Sequence, residues 1–126
     1  MRLYLAGPMT GYPDYNYPAF FAAADALRHA GYTILNPADI GLHPTWTWAD
    51  YMRVGLDTLT THAEAVAVLP GWEASRGARL EVRLARRLGL RVHTVFTWHA
   101  LTPLFIPRRF TWSASAASVA RILDSQ

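Results

Sequence analysis

Apolar and polar positions alternate in a pattern that changes period several times along the chain. Arg2 to Ala6 contains the apolar run Leu3-Tyr4-Leu5-Ala6, closed by Gly7-Pro8, and reads as a short buried strand. Met9 to Tyr17 is rich in Gly, Pro, Asp and Asn and reads as a loop. Pro18 suits a first helical turn. Ala19 to Ala30 then carries a helical stripe of Phe20, Ala23, Ala24 and Leu27, with Gly31 as its stop. Tyr32 to Leu35 is a second strand, ended by Asn36-Pro37. After a loop containing Gly41 and Pro44, Trp48 to His62 places Met52, Leu56 and Leu59 on one face, with Ala63 in register just beyond. Ala65 to Leu69 is a continuous apolar strand stopped by Pro70-Gly71. Arg76 to Leu88 is a third helix ended by Gly89, and Leu90 to Phe96 a fourth strand. Thr102 to Arg109 reads as irregular or extended, and Ser115 to Leu123 as a terminal helix.

Strands alternating with helices predict a parallel sheet covered on both faces. Right-handed crossovers make it a doubly wound, three-layer α/β/α sheet of four to five strands, with residues 1–126 forming one domain. Ligands of such sheets bind beyond the carboxyl ends of the strands. Three loops therefore matter: Gly7 to Tyr17, Asn36 to Trp48, and Pro70 to Gly77.

Composition narrows the chemistry. The 126 residues are 52% hydrophobic and 17% charged, enough for one core without covalent staples. There is no cysteine, so disulfides, thiolate metal sites and cysteine nucleophiles are excluded. The five histidines lack metal-motif spacing, and no metal or organic cofactor is expected. The run Leu3 to Ala6 is too short for a signal peptide, and no stretch approaches a membrane span. A soluble cytoplasmic protein without a membrane partner is the expectation. The net charge is +3, and all twelve basic residues are arginine. Arg79, Arg83, Arg86 and Arg87 form an outward stripe on the third helix. It reads first as a solvated face, with a nucleic-acid surface as the weaker alternative.

Glu81 is the most informative residue. Ala78, Glu81, Ala85 and Leu88 share a small, apolar helical face that should pack on the sheet. A carboxylate there is costly unless it has partners or a task. The nearby helix N-terminus should favour its ionised form. Two readings fit: a nucleophile or base at a cleft mouth, or a first-turn Glu satisfied by a cap or an arginine. The preceding loop, Pro70-Gly71-Trp72-Glu73-Ala74-Ser75-Arg76-Gly77, joins a strand to a helix. Its backbone N–H groups, Ser75 and Arg76 suit an anion, although Ser75 as a plain N-cap fits equally. It lacks the lysine and spacing of a P-loop, and there is neither a Gly-x-Ser-x-Gly elbow nor a Gly-x-Gly-x-x-Gly after the first strand. Tyr4 either reaches a catalytic carboxylate or is core. Asp57 sits one turn after Arg53, and an exposed pair between them is the simpler reading. Trp46, Trp48 and Trp72 stack a base or cover the core.

Two segments resemble a known family. Tyr4-Leu5-Ala6-Gly7-Pro8-Met9-Thr10-Gly11, followed by Asp14-Tyr15-Asn16 and Pro18-Ala19-Phe20, is similar to the opening of small bacterial and phage proteins in the nucleoside 2-deoxyribosyltransferase-like superfamily. Leu69-Pro70-Gly71-Trp72-Glu73 with Ser75-Arg76-Gly77-Ala78-Arg79-Leu80-Glu81 resembles the same group's second motif, and the likeness covers roughly residues 3 to 96. The resemblance implies a flavodoxin-like sheet, a homodimer or larger oligomer, and cleavage of the N-glycosidic bond of nucleosides or nucleotides. It implies Glu81 as nucleophile in the Gly77-to-Glu81 segment, Tyr4 as its positioning tyrosine and Asp57 as the helical aspartate. It further implies substrate contacts from Gly7, Met9, Asn16, Trp72, Glu73, Ser75, Arg76 and Gly77. The family's transferases carry an aspartate six residues before the nucleophile, whereas its monophosphate glycosidases carry serine. Ser75 here, beside Arg76, implies a 5'-phosphate. The first loop, Met9-Thr10-Gly11, lacks the glycosidases' basic residue.

The expectation is an N-glycosidic-bond enzyme, hydrolase or deoxyribosyltransferase, acting on a deoxynucleoside or ribonucleoside or its 5'-monophosphate. The alternatives are an NAD glycohydrolase and a non-catalytic nucleotide-binding protein on the same fold. Glu73 or Asp57 would protonate the leaving base. In the tail, Arg108, Arg109 and Trp112 are candidates for reaching a neighbouring active site.

Overall fold

The computed structural model describes residues 1–106. The tail residues Arg108, Arg109 and Trp112 and the expected Ser115–Leu123 helix lie outside them. Four strands form one parallel sheet: β1 (Arg2–Ala6), β2 (Thr33–Leu35), β3 (Ala65–Val68) and β4 (Arg91–Thr94), in the order β2-β1-β3-β4. Those are the first four places of the flavodoxin-like order. Between the strands run α1 (Tyr17–His29), α2 (Trp48–His62) and α3 (Arg76–Arg87). The fold is α/β and doubly wound, as the alternation of periods predicts.

The pleat sorts β1 between two cores. Leu3 and Leu5 point to one face with Ala65, Ala67 and Leu69. There they meet Phe20, Ala24 and Leu27 of α1. Tyr4 and Ala6 point to the other with Val66 and Val68, under Leu59 of α2 and Ala78, Val82 and Ala85 of α3. Both α1 and α3 end as their glycines predict. Tyr32 N–H donates to Leu27 O and Gly31 N–H to Arg28 O, with Gly31 at φ 110°; Leu90, Gly89, Ala85 and Arg86 repeat the arrangement after α3. Thr47 and Asp50 form a reciprocal capping box that starts α2.

Three expectations need correction. The fourth strand does not reach Phe96: it stops at Thr94, and Val95–Ala100 is a helix, α4. Thr94 Oγ1 caps it by accepting from Thr97 N–H at 3.0 Å. Trp98 anchors it, fully buried, with its indole N–H donating to Val66 O at 2.7 Å. Burial of one tryptophan outweighs the strand preference of the flanking Val and Phe. Within the segment expected to be extended, Thr102–Phe105 is instead a single helical turn, α5. Finally, Leu88 leaves the buried face of α3 and is 51% exposed, its place taken by Val82. The helix ends at Arg87, so Leu88 is its C-cap and no longer continues the buried face.

In the expected first loop, Pro13–Asn16 makes a tight turn in which Asp14, Tyr15 and Asn16 all have positive φ (51°, 52° and 61°). Asn16 Nδ2 fastens this turn to the end of β1 by donating to Pro8 O at 2.9 Å. No helix among the described residues is long and apolar enough to cross a membrane.

Candidate active site

Connections leave β1 and β3 toward opposite faces of the sheet, since α1 covers one side and α2 and α3 the other. A doubly wound sheet opens a crevice at such a point. Tyr4 lies on β1, on the face covered by α2 and α3. Glu81 comes down from α3, the helix that follows β3. The Tyr4 hydroxyl donates a hydrogen bond to Glu81 Oε2. Tyr4 is 1% and Glu81 7% exposed, so the pair is held almost out of water.

Burial sets the electrostatics of the pair. The Glu81 carboxyl is pushed up to about 7, with the tyrosine hydrogen bond pulling the other way. The Tyr4 phenol is raised well above 10, by burial first and then by the neighbouring carboxylate. Burial thus overrides the favouring of the ionised form expected from the helix N-terminus. Glu81 is the sixth residue of α3, and the influence of the terminus fades within the first turn. The expectation of a first-turn Glu satisfied by a cap or an arginine is also overturned, because its partner is a tyrosine from the sheet.

Gly55 of α2 completes the arrangement, and the sequence reading passed over it. A Cβ built there would stand 2.7 Å from Tyr4 Oη and 3.3 Å from Glu81 Oε2. Only a residue without a side chain lets α2 close over the pair. A lone glycine inside a helical pattern was the available signal, since it costs about 1 kcal/mol against alanine unless packing needs it.

The loop before α3 is ordered around its cap. Ser75 Oγ accepts from Ala78 N–H at 3.2 Å, so the N-cap expected for Ser75 is present. Gly77 lies against α2, where a Cβ would come within 3.0 Å of Met52 Sδ. The Arg76 guanidinium lies 3.9 Å from the ring centre of Trp48. Glu73 is exposed, and its backbone carbonyl accepts from Arg79 at 3.1 Å. Trp72 packs on the core beneath α3. At the end of β1, Gly7 leaves no room for a side chain: a Cβ would be 2.8 Å from Leu69 Cβ. Met9 packs against the α1 core.

Asp57 is not brought to the pair. It is exposed on α2, two residues from Gly55 and so on the far side of that helix. Its Oδ1 is 3.5 Å from Thr61 Oγ1. The simpler reading of Asp57 also fails, because Arg53 pairs with Asp50 at 2.9 Å instead. Of the tryptophans offered for stacking, Trp46 already stacks on His43 at 3.8 Å and Trp48 is covered by Arg76. The arginines of α3 face solvent as expected. Among the described residues, no cluster of three or more His, Asp or Glu is placed to hold a metal ion.

The fold and pair define a class: a doubly wound α/β protein with a buried tyrosine–glutamate pair at its topological switch point. The chain belongs to the family described as "Domain of unknown function (DUF4406)", whose profile matches residues 1–94. That span takes in all four strands, α1 to α3, and the Tyr4–Glu81 pair. No curated protein matches the chain.

Proposed function

We propose that the protein breaks the N-glycosidic bond of a nucleoside or its 5'-monophosphate, with Glu81 as nucleophile. The observation that carries this reading is the buried hydrogen bond from Tyr4 to Glu81 at the switch point. The resemblance to the nucleoside 2-deoxyribosyltransferase-like superfamily supports it, since Tyr4, Gly77 and Glu81 match that group's motif positions. In the proposed reaction the ionised Glu81 carboxylate attacks the anomeric carbon while the carbon–nitrogen bond breaks. The bond's electrons leave with the base, which takes a proton. The transition state is oxocarbenium-like, and an adjacent carboxylate in a dry site stabilises it strongly. Water then hydrolyses the glycosyl ester, or a second base accepts the sugar, and the carboxylate is regenerated. Tyr4 orients Glu81 and favours its charged form.

Glu73, on the loop beyond β3, is the carboxyl we assign to protonating the leaving base, because Asp57 faces away. Ser75 and Arg76, at the start of α3, suit a 5'-phosphate through a hydroxyl, a guanidinium and the helix N-terminus. By the same resemblance, a homodimer or larger assembly is part of the proposal.

The test is product chromatography after incubation with deoxynucleosides, ribonucleosides, their 5'-monophosphates and NAD, with and without an acceptor base. The expected result is free base from at least one nucleoside or nucleotide, reduced by at least about 1,000-fold in Glu81→Gln. Free nicotinamide from NAD alone would instead identify an NAD glycohydrolase. Ligand binding with no bond cleavage, equal in both proteins, would identify a binding protein.

A further inference from the structure

Between the first turn of α2 and α3 runs a groove of about 350 Å³, lined by Trp48, Arg76, Arg79, Leu80 and Arg83. None of its walls belongs to the Tyr4–Glu81 pair. Trp48 is 37% and Leu80 38% exposed, so the groove keeps apolar surface open to solvent. The Arg76 guanidinium lies over the Trp48 indole, 3.9 Å from the ring centre. Arg79 gives an N–H to Glu73 O at 3.1 Å, one of the five donors a guanidinium carries. Arg83 follows one turn further along the helix.

Solvation alone does not account for this charge. Among the described residues the ion pairs are Arg2–Glu64, Arg28–Asp39 and Arg53–Asp50, so no groove arginine has a carboxylate partner. The single acid of α3 is Glu81, buried with Tyr4. Arg76 with Arg79, and Arg79 with Arg83, stand at i,i+3 and i,i+4, where like charges repel along a helix. Arg76 opens α3 and Arg79 is its fourth residue, at the end where the helix dipole favours anions. An ordinary solvated face intersperses both signs. The groove therefore gathers positive charge that nothing in the described fold offsets, and its complement is an anion. An acidic peptide would bring carboxylates but nothing flat to meet the indole and guanidinium. A single nucleic-acid strand brings both: phosphates for the arginines, and bases that stack on aromatic rings or guanidinium planes.

We propose that this groove binds single-stranded nucleic acid, with Arg79 and Arg83 on its phosphates and a base added to the Arg76–Trp48 stack. The inference goes beyond the glycosidic reading and does not rest on it. Neither Arg79 nor Arg83 enters that chemistry, and Arg76, at the head of the groove, is the one arginine common to both. The net charge of +3 adds a long-range attraction for the strand.

The test is fluorescence anisotropy of a labelled oligothymidylate titrated with the full chain over a range of salt concentrations. Labelled polyglutamate of equal charge runs beside it. The variants are Arg79→Gln, Arg83→Gln and, as a control, Arg53→Gln, whose arginine pairs with Asp50 outside the groove. The expected result is an affinity for the oligonucleotide at least about ten-fold above that for polyglutamate, falling linearly with salt on logarithmic axes. Each groove variant should take about 0.7 off that slope, the share of one phosphate contact on a single strand, and Arg53→Gln should leave it unchanged. Absence of oligonucleotide binding would overturn the inference. So would equal binding of polyglutamate, which would mark a surface for acidic protein. A slope in folded Arg79→Gln and Arg83→Gln equal to that of wild type would do the same. The wild-type comparison decides the matter even if a variant does not fold.

Discussion

Glu81 is a residue whose place in the fold costs stability. Its carboxyl sits at about 7 in the fold against an ordinary 4.5. For an acid raised in this way, the folded state binds more protons than the unfolded state between those values. The contribution of Glu81 is therefore fully present below pH 4.5 and lost as pH rises through about 7. Glu81→Gln, neutral throughout, should gain stability over wild type between pH 5 and pH 8, by on the order of 1–3 kcal/mol. Denaturant unfolding of both proteins at the two pH values measures this, and a pH-independent difference contradicts it. The proposed attack needs the ionised form, so the glycosidic activity we propose should rise with pH through an ascending limb near 7. Tyr4→Phe removes the hydrogen bond that lowers the Glu81 value, and should move that limb to higher pH. A limb that stays in place in Tyr4→Phe would show that the phenol does not tune the carboxylate. Glu81 was legible in the sequence because a carboxylate stood in a small apolar stripe. Its partner was open, since a tyrosine in an apolar strand is equally core. The groove was hidden: Trp48 and Arg76 read as separate candidates, and their stacking shows only in three dimensions.

At the scale of elements, α2 closes on the pair because Gly55 stands at the contact, while Gly77 of α3 leaves room for Met52 of α2. Gly55→Ala gains helix propensity worth about 1 kcal/mol. It also pushes a methyl to 2.7 Å from Tyr4 Oη, and overpacking costs about 1–3 kcal/mol. The expected net result is a protein of equal or lower stability with activity reduced at least about ten-fold, because the Tyr4–Glu81 contact is displaced. Thermal melts and turnover of Gly55→Ala check this, and full activity would show that α2 need not approach the pair. The helix α4 carries the other element-scale prediction. Trp98→Ala should cost about 3–5 kcal/mol, read from denaturant midpoints, because the indole is fully buried and hydrogen-bonded to β3. Strands and the three long helices were legible from period and punctuation. The helix α4 was not, because its local sequence, Val95-Phe96-Thr97-Trp98, favours extended chain and only tertiary burial turns it.

For the whole molecule, the order β2-β1-β3-β4 explains why residues 77 apart in sequence meet. Parallel strands aim their carboxyl ends, and so their loops, at one edge. The reversal between β1 and β3 sets a β1 side chain beside the helix that follows β3. Alternating periods made this topology legible. They could not say which polar residues the reversal brings together, so Asp57 stayed a candidate beside Tyr4 although an exposed pair with Arg53 was its simpler reading, and α2 turns it outward. The central claim is that Glu81 bonds to the sugar. The most direct measurement is peptide mass mapping after rapid acid quench, using whichever substrate releases base. The account predicts a mass gain of one sugar, or one sugar phosphate, on the peptide bearing Glu81, and none in Glu81→Gln. An unmodified peptide in a protein whose Glu81→Gln variant releases base at the wild-type rate would contradict it.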